Sequence, residues 1–542
     1  MDWYKKIAKR EKLKQVIFMI LLLGAMGILL LFIDGRMDYL LDSDASSEMI
    51  LSKIMATKNT LITNSWYYST ELRVIGINII YMLVFKITNN WHLVRVVSCF
   101  ILYILMLSSY LMYCRRVKLD KYFFLSSLIF LVPISKCYFN FVLAGNYYIP
   151  YIIFSFILLA LIEGNTKKIK MGKLLLLFVV SLIFSLNGIR QLIIFHVPVL
   201  LSAIFLFGSE FINYDKVKVS KMLKSSSFNY LISSLVSVVG SFVGYLINSM
   251  ILTKLYKFQS WDSISFSSFD MQKIGLLINN FLESYGYREG SVFSSVLVSN
   301  ICCIFFILMS IISICYALKN SKKVSREYLH LALFYVSAIV VFFGLYTCTD
   351  MLIVARYNLP IIVFSIPLVF LFVKEVNFVN KDIMRYRDFI LYGFVTVICL
   401  GGVCNYNYLR YTDKTSSRRK IVKVLEDKRY YSGYATFWQA NVLTELSNGD
   451  IDIWSWCDSG NNGEFLKNID NIDATFKWLQ KTSHDDNHPK GKVFILLTKD
   501  ELENFKWKSQ LKKSSKVIYH SDFYVVYGFD SYNDMINKIK ST

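Results

Sequence analysis

Residues 15–33 read QVIFMILLLGAMGILLLFI, and residues 34–48 continue as DGRMDYLLDSDASSE. The first stretch is an unbroken apolar run of the length a helix needs to cross the hydrocarbon core of a bilayer, about 20 residues for about 30 Å. No small-residue cleavage site follows it, so it predicts a retained span rather than a signal peptide. The second stretch changes character at once, with Asp34, Asp38, Asp42, Asp44 and Glu48 crowded behind the span. A helix that starts near Ala45 sets Asp44 and Glu48 one turn apart on one face. A carboxylate partly desolvated at a membrane surface can take a proton from a hydroxyl, acting as a general base. Asp42, Ser43 and Asp44 are equally good helix caps, and acid in a first turn suits the helix dipole. Both readings stand at this point.

The remaining chain repeats the first pattern. Of 542 residues 55% are hydrophobic and only 18% are charged, where a soluble protein has about a quarter charged. The apolar residues fall into eleven predicted spans, at about 15–33, 93–113, 122–135, 147–163, 174–190, 191–209, 228–252, 292–318, 329–347, 357–373 and 389–407. The net charge of +21 does not indicate nucleic acid, because the basic residues sit between apolar blocks as topology signals do. The ten cysteines are scattered, mostly inside spans, with no CxxC pair and no metal-ligand spacing.

Alternate connections are basic: Lys5 to Lys14, then Arg115, Arg116 and Lys118, then Lys167, Lys168 and Lys170. The series continues with Lys216, Lys218 and Lys221, then Lys319, Lys322 and Lys323, and ends with Lys381, Arg385 and Arg387. By the positive-inside rule the amino terminus is cytoplasmic, and an odd number of spans puts the last 130 or so residues outside. The expected class is therefore mainly α, a polytopic transmembrane helix bundle of about eleven spans with a small extracytoplasmic α/β carboxyl-terminal domain. The expected boundaries are 1–411 for the bundle, with an outer loop at 34–90, and 412–542 for the domain. Helices are predicted at Lys420–Asp427 and Phe437–Leu446, the second stopped by Gly449. Strands are predicted at Ile451–Trp456, Val493–Thr498 and Phe523–Phe529.

Three further groups carry chemistry. Trp66, Tyr67, Tyr68, Glu71 and Arg73 combine rings that stack on sugar faces with charges that bind hydroxyls, although such rings also belong to the interfacial belt of any membrane protein. Arg95, behind Trp91 and His92 at the mouth of the second span, either binds an anion or snorkels to the surface. Arg190 and Arg356 sit at the outer ends of apolar runs, where charge is costly and usually functional. A guanidinium fork there suits a phosphate, and the competing role for Arg356 is an ion pair with Asp350.

The acidic motif Asp42-Ser43-Asp44-Ala45-Ser46-Ser47-Glu48 resembles that of the GT-C superfamily of membrane glycosyltransferases, as do the late Arg356-Tyr357-Asn358-Leu359-Pro360 and the overall span count. That superfamily includes protein O-mannosyltransferases, aminoarabinose transferases and many bacterial surface-polysaccharide enzymes. One departure stands out, since many relatives carry Asp-Glu where this chain has Asp44-Ala45. The resemblance implies an inverting glycosyltransferase with a sugar donor on polyprenyl phosphate and a surface glycan or lipid-linked acceptor, working among membrane lipids. It assigns Asp44, Asp42 and Glu48 to catalysis, with Asp44 preferred as base, and Arg356, Arg190 and Arg95 to the donor phosphate. Trp66, Tyr67, Tyr68, Glu71 and Arg73 would then face the acceptor or sugar. No organic cofactor is implied, and a divalent metal stays open because Asp42 and Asp44 offer two carboxylates. The rival readings are a flippase or transporter for lipid-linked glycans, which would carry repeats and mid-bilayer polar residues, and a polysaccharide polymerase.

Overall fold

The computed structural model describes residues 2–69, 72–212, 223–258, 265–290, 295–379, 386–456, 466–467, 469, 471–473 and 475–540. Glu71 and the loop residues Lys216, Lys218, Lys221, Lys381 and Arg385 lie outside the described residues. The chain forms two compact units. The first comprises Met1–Ile33, Cys99–Ile251 and Ser263–Tyr411, and the second Asp34–Ser98, Leu252–Asp262 and Thr412–Thr542. The second unit thus joins the segment after the first span to the carboxyl-terminal domain.

Among the described residues, eight helices are long and apolar enough to cross a membrane: Glu11–Leu40, Trp91–Arg116, Leu192–Glu210, Ser226–Leu255, Val296–Lys319, Arg326–Thr347, Ala355–Val376 and Arg387–Asp427. Lys136–Ala144 and Ile149–Glu163 make a ninth if taken together, bent by 79° at their break. The protein is a multi-pass membrane protein. Two of the eleven expected spans shrink. The one at 122–135 contains only the helix Phe123–Phe130, because Pro133 offers no N–H and bars the residue before it from helical geometry. The one at 174–190 contains Met171–Ser185, whose fifteen residues rise only about 22 Å, short of a bilayer core. Gly188 then turns the chain with φ +97°.

Met171–Ser185 packs on Ser226–Ile247 through small residues, as membrane helices do where backbones must approach closely. A Cβ on Gly240 would stand 2.6 Å from the Phe178 carbonyl, and one on Gly244 2.2 Å from that of Leu182. Ser181 and Ser237 bond through their hydroxyls at 2.9 Å, and Ser185 and Ser241 do so at 2.6 Å.

The second unit is built on a five-stranded mixed sheet. Its strands are β2 (Ser432–Thr436), β3 (Asp452–Trp456), β5 (Val493–Thr498), β6 (Lys516–His520) and β7 (Tyr524–Phe529). They lie in the order β3-β2-β5-β7-β6, with β2 parallel to β3 and β5, and β7 antiparallel to β5 and β6. Side chains alternate across the strands, so two cores form on its two faces. Tyr434, Trp454, Trp456, Ile495 and Val525 serve one, while Ala435, Ile453, Phe494, Leu496 and Val526 join Ile421 and Leu443 in the other. β5 is therefore buried on both faces, which its unbroken apolar run anticipates. A further pair of short strands, β1 (Trp66–Tyr67) and β4 (Gln480–Lys481), ties the segment after the first span to the domain antiparallel, Trp66 opposite Lys481.

Candidate functional site

The helix Ser43–Lys58 starts where the sequence places its caps. Asp42 has extended backbone at φ −131°, and its carboxylate accepts the N–H of Ala45 at 2.9 Å. Asp42 thereby caps the helix, one of the two roles its sequence position allows. Two other acids of the cluster are also accounted for, because Asp38 and Asp34 bracket the imidazole of His92, each at 3.1 Å. The catalytic reading narrows to Asp44, in the first turn, and Glu48, one turn later. Glu48 is largely buried, its side chain 12% exposed, with Arg73 Nη1 at 3.4 Å from its Oε1. Burial lifts its carboxyl above the ordinary range; the Arg73 guanidinium pulls it down and the Asp44 charge pushes it up. An acid with a raised pKa beside a second acid is the environment in which a carboxylate becomes a usable base near neutrality.

The first turn of this helix is held by residues from distant parts of the sequence. The Ser43 hydroxyl donates to the Phe437 carbonyl at 2.7 Å. Arg95 is 1% exposed and forks onto Glu445, its Nε and Nη2 each donating at 2.8 Å. It also donates to the Tyr81 hydroxyl at 3.2 Å and to the Ala45 carbonyl at 3.3 Å. A guanidinium forked onto a buried carboxylate holds together the helices that carry the two residues. Sequence reasoning missed Glu445. The available signal was the single charged residue of the helix Phe437–Leu446.

Trp66, Tyr67 and Tyr68 are all buried. The Tyr67 hydroxyl bonds Asp485, the Tyr68 hydroxyl accepts the Thr63 N–H at 3.1 Å, and the Tyr68 N–H donates to the Lys257 carbonyl at 3.0 Å. These contacts hold β1 in place. Arg73 serves Glu48.

In the first unit, Arg190 and Arg356 meet on one ring. The Arg190 guanidinium lies 5.1 Å from the centre of Tyr357 and that of Arg356 5.7 Å from it. Arg190 also donates to the Tyr148 hydroxyl at 3.2 Å, and Arg356 covers Phe141 at 5.3 Å. The turn that carries Arg356 is a tight one, Ala355–Asn358, pinned by Ser284, whose hydroxyl donates to the Ala355 carbonyl and accepts from Asn358. Pro360 follows in the first turn of the next helix, where its missing N–H costs nothing. Asp350 accepts from the Ser265 N–H at 2.8 Å and from its hydroxyl. Among the described residues no three His, Cys, Asp or Glu side chains gather as a metal would require.

No family model and no curated protein matches the sequence. Solved structures do. ArnT from Cupriavidus metallidurans bound to undecaprenyl phosphate superposes with a TM-score of 0.51 at 12% identity, over 95% of this chain and 97% of that one. The same enzyme in its apo state gives 0.53 at 10% identity, over 95% and 98%. At such identity the likeness is one of fold, and it runs nearly the full length of both chains. The chain carries the fold of ArnT.

Proposed function

We propose that this protein is an inverting glycosyltransferase that moves a sugar from a polyprenyl-phosphate carrier to a surface glycan or other acceptor on the outer face of the membrane. The observation that carries the reading is the meeting of Arg190 and Arg356 on Tyr357, in a chain with the fold of a protein crystallised with undecaprenyl phosphate. Asp44 takes the proton of the acceptor hydroxyl, with Glu48 one turn away on the same helix. The acceptor oxygen attacks the anomeric carbon from the face opposite the phosphate. The bond from that carbon to the phosphate oxygen breaks, and the configuration inverts. The carrier phosphate leaves with an added negative charge, which Arg356 and Arg190 receive through charge-assisted hydrogen bonds.

Asp44→Asn keeps the shape of the residue and removes its basicity. Transfer from purified polyprenyl-phosphate sugars should fall by about 10²-fold or more while thermal stability stays at the wild-type value. Transfer within a few-fold of wild type would return Asp44 to a purely structural role. The orientation is tested separately at Cys457, which lies outside the described residues. With the other cysteines removed, a membrane-impermeant thiol reagent should label it in intact cells, and labelling only after lysis would reverse the topology.

A further inference from the structure

The second unit contains a groove of about 810 Å³ that the acid cluster does not use. One wall is the later half of the helix Ser43–Lys58, and the other is formed by the turn after Phe437–Leu446 and by the segment around Ser483. On an ideal helix Thr57 lies nine residues from Glu48, about 900° of rotation, and therefore on the opposite face, roughly 13 Å along the axis. Lys53 stands about 140° from Glu48 by the same arithmetic. The groove and the two acids thus belong to different faces of one helix.

Its lining is rich in hydroxyl and amide side chains, with three lysines against two aspartates, and its apolar contribution is limited to Ile50, Ile54 and the edge of Trp91. A drug-like or lipid ligand needs a predominantly apolar wall, and a nucleic acid needs a strongly basic one. A weakly charged groove full of hydroxyls and amides beside a tryptophan suits a chain of sugar rings. The volume falls within the range of sites that enclose a ligand, about 300–1,000 Å³.

The walls are fixed in advance. The Asn448 side-chain carbonyl accepts the Trp91 N–H at 2.8 Å. Gly449, at φ +88°, lies so close to the Trp91 ring that a Cβ would stand 2.7 Å from it. Lys53 donates to Asn89 at 2.5 Å, and Thr482 reaches the backbone at Asn64 and Ser65 through its hydroxyl and its N–H. Groups already held in place lose little freedom when a ligand arrives.

We infer that this groove is a carbohydrate-binding site for a hydroxyl-rich, weakly charged oligosaccharide, the glycan part of the acceptor held away from the reacting hydroxyl. Its identification with the acceptor rests on the transferase reading; the binding of carbohydrate does not. The experiment uses the full-length protein in nanodiscs and the neutral probes maltotetraose, xylotetraose and chitotetraose with their monosaccharides, followed by saturation-transfer NMR. At least one tetrasaccharide should bind, about tenfold or more tighter than its monosaccharide. Thr57→Trp and Ser483→Trp fill the groove from opposite walls at exposed positions. Each should abolish that binding at an unchanged melting temperature, and two positions guard against one variant failing to fold. Asp44→Asn should bind the probe as wild type does. Absence of binding by all three probes at about 10 mM, or binding that survives both fillers, overturns the proposal. If Asp44→Asn abolishes transfer while no probe binds, the groove fails and the transferase stands. If a probe binds in the groove and the wild-type protein transfers no sugar from polyprenyl-phosphate donors, the groove stands and the transferase reading fails.

Discussion

Arg95 in the second unit and the pair Arg190 and Arg356 in the first are all membrane-protein arginines at the ends of apolar runs, and the sequence alone treats them alike. The structure separates them. Arg95 is closed in a two-point fork with Glu445 and further anchored to Tyr81 and Ala45. Arg190 and Arg356 stand over aromatic rings. A buried fork uses a guanidinium's directional donors to hold two helices together, whereas a ring contact engages its charge. The difference suggests that the environment of an intramembrane arginine says more about its role than its position in the span does.

The largest effect should come from breaking the fork. Removing one partner of a buried ion pair strands the other charge, at a cost of about 3–5 kcal/mol. Glu445→Ala should therefore lower the melting temperature sharply, and Arg95→Met should do so too. The double variant Arg95→Met with Glu445→Leu should recover most of that loss, because no charge is left stranded. Arg356→Met should cost far less stability, about 0.5–2 kcal/mol for a cation over rings. Equal losses for Arg356→Met and Glu445→Ala would erase the distinction between the two kinds of arginine.

The next effect is on the donor. Arg356→Lys keeps the charge but loses the planar fork, and Arg356→Ala loses both. The donor concentration for half-maximal transfer should rise about tenfold in Arg356→Lys and more in Arg356→Ala, as expected for charge-assisted hydrogen bonds of about 1.5–3 kcal/mol. The acceptor dependence should not change. Asp350→Ala releases Ser265 and should leave the donor dependence as it is. A donor dependence that stays at the wild-type value in Arg356→Ala would end the phosphate role and leave Arg356 as packing.

Local physics was legible in the sequence, and pairing across the chain was not. The first span, the cap at Asp42, the helix Phe437–Leu446 and the strands at 493–498 and 524–529 follow from run length, cap preference and period. β2 escaped because a central strand of Ser, Gly, Tyr, Ala and Thr has none of the β-branched apolar pattern. Gly433 is there because the Phe494 carbonyl comes within 2.4 Å of where its Cβ would be. β6 escaped as an edge strand whose Lys516 and Val517 face solvent. The burial of Trp66 and Tyr67 depends on strand pairing with residues more than four hundred positions away, and the Arg95 fork on one 350 positions away. Neither leaves a local mark, so rings that read as a sugar platform proved to be interior.

Glu48 and Arg73 stand between the two regimes, touching at one point and 3.4 Å apart. This contact is loose enough for Glu48 to keep a raised pKa, through burial and the Asp44 charge against the pull of Arg73. If Glu48 must be ionised for the pair to act, the acid limb of the wild-type pH–rate profile for kcat/KM should lie above the ordinary glutamate value of about 4.3. Glu48→Gln removes that titrating group, so the limb should move to lower pH. Arg73→Met removes the cation that pulls Glu48 down. Glu48 then holds its proton to higher pH, and if Glu48 must be ionised for the pair to act, the limb should move up. Each displacement should be on the order of one pH unit or less. Opposite signs from the two variants are the signature of two acids working as a pair under one arginine. Limbs that do not move, or that move together, would leave Glu48 as a buried packing residue and Asp44 to act alone.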